Sequence, residues 1–279
     1  LAGLNTIGIV DSANLEMLLS GRMLFPVFGS TEKVDKVASK LLAGRVAVFV
    51  DGSPFVLTAP YVFAESLQSA EDYLKNPVYA TAMRLLRVLA LLLSLYFPAM
   101  YITVLKYGPE LLPDAVTAIL RESREGMPLE PFFEIVIMLV VFELLREVGI
   151  RMPRTVGDAV GIVGSLIVGD AATQAGLAST VVVVVVAITA VCTFIVPMYM
   201  NAQLLFRFVF LFAGYFFSFF GVIAATLLLL AYLAQKESFG VSYLSPLAPV
   251  VPAGLLDFLL ALPRRSMRRR DRLVGREKE

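Results

Sequence analysis

The stretch Phe208-Val-Phe-Leu-Phe-Ala-Gly-Tyr-Phe-Phe-Ser-Phe-Phe-Gly-Val-Ile-Ala-Ala-Thr-Leu-Leu-Leu-Leu-Ala-Tyr-Leu-Ala-Gln235 decides the fold class, because it holds 28 residues and no charge. A second uncharged run lies between Asp170 and Arg207. Both runs exceed the ~20 apolar residues that an α-helix needs to cross a bilayer. The sequence therefore predicts an integral membrane protein with several membrane-spanning helices.

The composition of the 279-residue chain supports this prediction and excludes several function classes. Hydrophobic residues make up 58% of the chain and charged residues only 17%, whereas soluble domains carry about 25% charged residues. The chain has no histidine and a single cysteine, Cys192. This removes the commonest general base, the Ser-His and Cys-His nucleophile pairs and a thiolate zinc site. We therefore expect no enzyme activity, no catalytic residues, no cofactor and no metal.

The distribution of Lys and Arg predicts the orientation of the spans. The first span covers about Met83–Leu105, with its cytoplasmic end marked by Arg84 and Arg87. Later apolar segments are 131–150, 155–176, 177–200 and 206–234. Five crossings that start in the cytoplasm would leave the C-terminus outside. Residues 263–279, however, hold eight Lys or Arg against three acids. Such a basic segment favours the cytoplasmic side and contact with a lipid surface rather than with nucleic acid. We therefore predict four full crossings and one re-entrant or interfacial segment within 132–176, with both termini cytoplasmic.

Residues 1–60 have the character of a small soluble α/β domain. The pattern predicts a helix over Val34–Leu42, with Ser30 or Thr31 as its N-cap and Gly44 at its end. Two β-rich runs flank an Asp-Gly turn at 51–52, which predicts a hairpin.

The predicted fold class is mainly α: a polytopic helical membrane protein with four to five membrane helices, one of them re-entrant, preceded by the last part of a cytosolic α/β domain. The expected divisions are a cytosolic remnant (1–60), a connector (61–82), a membrane domain (83–235) and a cytosolic tail with a basic cluster (236–279).

Small residues recur at every fourth position from Gly157 to Thr173, and we call this pattern the small-residue ridge. Such a ridge lets helices approach closely. One interpretation is a tight helix contact within one subunit. The other is that identical helices surround a narrow pore with apolar constrictions and acidic mouths. The candidate pore-lining or helix-packing residues are Gly157, Asp158, Val160, Gly161, Val163, Ser165, Ile167 and Gly169.

Four charged residues interrupt the apolar segment 131–150: Glu134, Glu143, Arg146 and Glu147. Charges at membrane depth are costly and usually face a partner or a water-filled cavity. The spacing predicts local ion pairs between Glu143 and Arg146 and between Glu147 and Arg151. Glu134 stands apart from these pairs and is the better candidate for an ion pathway.

Five motifs in the same order resemble the spore germination protein GerA family. They are Arg45–Val56, Gln68–Tyr73, Phe142–Arg154, Ala159–Gly169 and Ser238–Pro246. The family tends to have Pro and Gln where this chain has Thr155 and Asp158, so Asp158 adds a charge at the predicted pore mouth.

The resemblance implies a membrane subunit of a spore germination complex in the inner membrane of a bacterial endospore. It fits both the A subunit of a germinant receptor and the related stage V sporulation protein AF. It further implies a homo-oligomer, a pentamer, that conducts monovalent cations when germinant is sensed, beside receptor subunits of the B and C types. The alternative is a membrane scaffold or transporter-like subunit without a pore of its own.

Overall fold

The structure is a computed structural model that describes residues 12–20, 24–69, 72, 75–153, 164, 167–250, 254–255, 258 and 260. The described residues are mainly helical and include one three-stranded and one two-stranded sheet. The chain divides into two compact units. We call them the N/C unit, from residues 1–89 and 227–279, and the helical unit, from residues 90–226.

The N/C unit begins with a three-stranded antiparallel sheet and three helices. Its first elements are α1 (Ser12–Ser20), β1 (Gly29–Thr31), α2 (Val34–Leu42), β2 (Val46–Val48), β3 (Val56–Ala59) and α3 (Phe63–Ser66). β3 is the central strand and pairs with both β1 and β2. The buried carboxylate of Glu65, on α3, forms ion pairs with Lys40 of α2 and with Arg45, which directly precedes β2.

The predicted hairpin and the end of α2 are confirmed, but the predicted N-cap is wrong. Val46 pairs with Ala59 across the turn, and Gly44 after α2 has a φ of +85°. The N-cap of α2 is Lys33, without a side-chain hydrogen bond. Thr31 is the last residue of β1, and its hydroxyl accepts a hydrogen bond from the Lys33 N–H (3.2 Å).

A second small sheet belongs to the same unit. β4 (Glu237–Ser238) and β5 (Val241–Ser242) form an antiparallel pair. The Ser238 hydroxyl donates to the carbonyl of Val27 (2.8 Å) and accepts from the Tyr61 N–H (2.9 Å). The first residues of the segment assigned from sequence to a separate tail are therefore bonded into the α/β core.

The helical unit contains most of the long helices. Further helices are α4 (Pro77–Tyr107), α5 (Asp114–Glu122), α6 (Pro131–Arg151), α7 (Thr180–Ile195) and α8 (Met200–Ala234), and the described residues 167–174 are also helical. Among the described residues, two helical segments are long and apolar enough to cross a membrane, Pro77–Tyr107 and Pro197–Ala234, and α7 is a shorter apolar helix. α6 packs against α7. The buried core joins α4, α6, α7 and α8 through Ile102, Ile135, Leu139, Val182, Val186 and Leu211.

α8 reverses direction at Ser218, which has φ 60° and ψ −155°. A methyl group on Gly221 would lie 2.2 Å from the carbonyl oxygen of Ala213, and one on Gly214 would lie 3.3 Å from Cγ2 of Val222. Residues eight apart in a straight helix are separated by about 12 Å along its axis. The sequence-predicted span 206–234 is therefore two helical segments joined by a sharp reversal.

The carbonyl of Tyr215, three residues before Ser218, has hydrogen-bond partners outside α8. It accepts hydrogen bonds from the Tyr107 hydroxyl (2.8 Å) and from Nζ of Lys106 (3.2 Å). The end of α4 is thereby bonded to the tip of the reversal.

Candidate functional site

Glu134 is fully buried and lies in a charged cluster where three helices meet. Its Oε1 is 3.2 Å from Nη1 of Arg124, which follows α5. Its Oε2 accepts a hydrogen bond from the Ser179 N–H (2.9 Å). The partly buried side chain of Tyr101, on α4, lies close enough to interact electrostatically with both members of the ion pair. We call these four residues the Glu134 cluster.

The position of Ser179 explains why a carboxylate is stable there. Ser179 is the N-cap of α7, and its hydroxyl accepts a hydrogen bond from the Val182 N–H (3.4 Å). The unpaired N–H groups at a helix N-terminus carry a partial positive charge that favours a nearby anion. Glu134 therefore has both a cation and a helix N-terminus as partners, rather than standing alone.

The two ion pairs predicted within α6 are confirmed. Arg146 contacts Glu143 one turn earlier. Arg151 pairs with Glu147 at 2.7 Å, and both of these side chains are more than half exposed. One oxygen of Glu143 and Nε of Arg146 are buried and without hydrogen-bond partners in the described part of the chain.

Arg207 is the most unusual residue of the helical unit. Its side chain is 2% exposed although it lies on the apolar helix α8. Its Nε donates to the Ser94 carbonyl (2.9 Å), and its Nη2 donates to the Thr193 hydroxyl. In a regular helix the Ser94 carbonyl would accept from residue 98, but that residue is Pro98, which has no N–H. Arg207 thus fills a hydrogen-bonding position that the proline leaves open.

Gln203 lies one turn before Arg207 on the same helix, so the two side chains share a face. Gln203 is 1% exposed, and neither its Nε2 nor its Oε1 has a hydrogen-bond partner among the described residues. The guanidinium of Arg146 is close enough to that of Arg207 to repel it. We call the set Ser94, Glu143, Arg146, Thr193, Gln203 and Arg207 the Arg207 cluster.

The small-residue ridge lies mostly outside the described residues, which exclude Gly157, Asp158, Val160, Gly161, Val163 and Ser165. The end of the ridge that the structure describes packs within the chain. Gly169 is buried, and a methyl group placed on it would lie 3.4 Å from Cγ1 of Val183 on α7. Ile167 is 59% exposed and faces away from these contacts. The pore-lining role of the ridge therefore stays a prediction.

The Arg207 cluster was not predicted from the sequence, where Arg207 served only as the end of an uncharged run. Two local signals point to it. The spacing Ser94-x-x-x-Pro98 leaves a carbonyl free inside a helix, and Gln203 and Arg207 are polar residues one turn apart in an otherwise apolar segment. No group of three or more Asp, Glu, Cys or His that could hold a metal ion occurs among the described residues.

Comparisons with known proteins give a consistent result over nearly the whole chain. The family model described as Bacillus/Clostridium GerA spore germination protein matches residues 1–273. Spore germination protein KA of Bacillus subtilis (strain 168) is 40% identical over 274 residues, which cover 96% of this chain and 50% of that protein. Spore germination protein GerLA of Bacillus cereus is 34% identical over 267 residues, covering 94% of this chain and 54% of the relative.

A third relative is described as a membrane protein. The uncharacterized membrane protein YfkQ of Bacillus subtilis (strain 168) is 37% identical over 249 residues, or 88% of this chain and 48% of YfkQ. The chain spans about half the length of the curated relatives it matches. No solved structure matches it.

Proposed function

This chain belongs to the Bacillus/Clostridium GerA spore germination protein family, and from that premise we propose that it is a membrane subunit of a spore germination complex. In this proposal several copies assemble in the inner membrane of the spore and conduct monovalent cations when germinant is sensed. The chain acts with germinant-receptor subunits of the B and C types and catalyses no reaction. The observation that carries the proposal is the family match over residues 1–273.

The charges inside the helical unit bear on where cations would pass. The Arg207 cluster holds two arginines and one carboxylate, and Arg207 has no acidic partner among the described residues. Its one carboxylate, Glu143, is already paired with Arg146, so the cluster offers a cation no unpaired negative charge. We therefore assign the cation pathway to the axis between copies, where the small-residue ridge and the exposed Ile167 would line it.

A flux measurement in liposomes tests this proposal. The reconstituted protein should release K⁺ or Na⁺ from loaded vesicles. Val163→Ala should increase the rate of this release by widening an apolar constriction. A substitution of the same size at Val184, which is half exposed on α7, serves as the control and should leave the flux unchanged. Vesicles that stay sealed with both the parent protein and Val163→Ala would refute channel activity.

The alternative function is a scaffold or transporter-like subunit without its own pore. The observation that favours it is that Gly169 packs against α7 of the same chain. A ridge used only for helix packing within one subunit would make this kind of contact. It predicts a monomer or dimer by mass measurement in detergent, whereas a channel around an axis requires a larger ring.

We also propose that residues 200–234 cross the membrane twice. The first segment of α8, up to Phe217, is about 27 Å long, which approaches the ~30 Å apolar thickness of a bilayer. A return crossing after Ser218 accounts for a cytoplasmic C-terminus, the feature that five crossings could not accommodate.

Cysteine labelling checks this topology. In a Cys192→Ser background, Ser218→Cys should react with a membrane-impermeant maleimide added outside, and Lys236→Cys should react only after permeabilisation. Labelling of both positions from the same side without permeabilisation would contradict the double crossing.

A further inference from the structure

The Arg207 cluster carries a positive charge that no acidic side chain among the described residues neutralises. Arg146 is paired with Glu143, so the charge of Arg207 remains. The partners of Arg207 are a carbonyl and a hydroxyl, both uncharged. A buried charge is normally paired, and one at membrane depth marks a functional site. An anion is therefore missing from the charge balance of this cluster.

The hydrogen-bond donors of the cluster are also incompletely used. The contacts to Ser94 and Thr193 use two of the five N–H groups of an arginine. The Thr193 hydroxyl donates to the carbonyl of Thr189 (2.8 Å), so it is an acceptor toward Arg207. The amide of Gln203 offers two further N–H groups and is buried without a partner among the described residues. Buried polar groups left in this state indicate a bound water or ion.

We propose that the Arg207 cluster binds one small monovalent anion, held by the free N–H groups of Arg207 and by the Gln203 amide. One negative charge balances the single uncompensated arginine. We expect the anion to be small, since Gln203 and Arg207 are 1% and 2% exposed and are closely surrounded by protein. Chloride has the charge and the size that these donors require.

Anion binding here is independent of the proposed cation pathway, because the cluster lies inside one helical unit and not between copies. Its role is to neutralise the core where α4, α6, α7 and α8 meet. Anion binding to the detergent-solubilised protein therefore tests the proposal, whether or not the protein conducts ions in a bilayer.

Thermal unfolding in two sodium salts tests the proposal. The full chain in a neutral detergent is melted at constant ionic strength while chloride replaces gluconate, which is too bulky for the site. A ligand that binds only the folded state raises the melting temperature in proportion to ln(1 + [L]/Kd). For the parent protein we expect a melting temperature that rises with the logarithm of the chloride concentration above Kd, and we expect the loss of this rise in Arg207→Gln.

Two further variants make the result decisive. Arg151→Gln removes the same charge from an exposed position of α6 and should keep the chloride response. Gln203→Leu leaves the charge of Arg207 and removes only the amide donors, so it should weaken chloride binding at least about tenfold, which corresponds to about 1.4 kcal/mol. This variant also decides the matter if Arg207→Gln does not fold. Equal melting temperatures in both salts for the parent protein, or an unchanged response in Gln203→Leu, would overturn the proposal and indicate water in place of the anion.

Discussion

Replacing Glu134 by Gln is expected to lower the free energy of unfolding of the helical unit by about 3 kcal/mol, because removing one partner of a buried ion pair leaves the other charge uncompensated. Glu134 is completely buried, and it neutralises Arg124 while accepting the Ser179 N–H at the start of α7. The neutral amide keeps the shape but loses the charge that both partners need. Unfolding of the detergent-solubilised protein by added SDS measures this loss.

Two comparisons separate this effect from a general cost of substitution. Glu147→Gln removes the same charge from an exposed pair on the same helix and should change stability by less than about 0.5 kcal/mol. The double variant Arg124→Gln, Glu134→Gln should recover part of the stability lost in Glu134→Gln. Equal losses for Glu134→Gln and Glu147→Gln would contradict the buried pair.

The second large effect is expected at the reversal of α8. Gly221→Ala should destabilise the helical unit by about 3 kcal/mol, because the new methyl group would lie 2.2 Å from the carbonyl oxygen of Ala213. That atom belongs to the backbone and cannot move aside as a flexible side chain would. The same SDS titration measures the change.

Gly169→Ala is the matched control for this prediction. Gly169 is also a buried helical glycine, but its added methyl would lie 3.4 Å from Cγ1 of Val183, an ordinary van der Waals distance. Alanine is the better helix former by about 1 kcal/mol, so this change should be neutral or stabilising. A straight helix through Ser218 would instead make Gly221→Ala as harmless as Gly169→Ala, and such a result would rule out the reversal.

The features that the sequence predicts well are local ones. The hairpin at Asp51-Gly52 follows from two β-rich runs and a turn, and the pairs Glu143–Arg146 and Glu147–Arg151 follow from helical spacing alone. Each depends on residues close in the chain, where geometry is set by the secondary structure. The family resemblance, which combines five short motifs, is likewise confirmed by the match over residues 1–273.

The features that the sequence does not predict depend on tertiary contacts. Arg207 reaches the Ser94 carbonyl across 113 residues of chain, and Glu134 meets Ser179 across 45. The reversal at Ser218 occurs among phenylalanines, without the proline or glycine at the turn itself that would interrupt a hydropathy pattern. Hydropathy therefore merged two helical segments into one predicted span. In the proposed topology, the same merging accounts for the mismatch between five predicted crossings and a predicted cytoplasmic C-terminus.

The central claim is that cations pass between copies of this chain rather than through one helical unit. Counting protein copies per liposome by single-vesicle fluorescence, while K⁺ release from the same vesicles is recorded, tests this claim most directly. We expect vesicles with a single copy to stay sealed and the release to rise steeply once several copies share a vesicle. Release from single-copy vesicles, increasing in simple proportion to copy number, would contradict it.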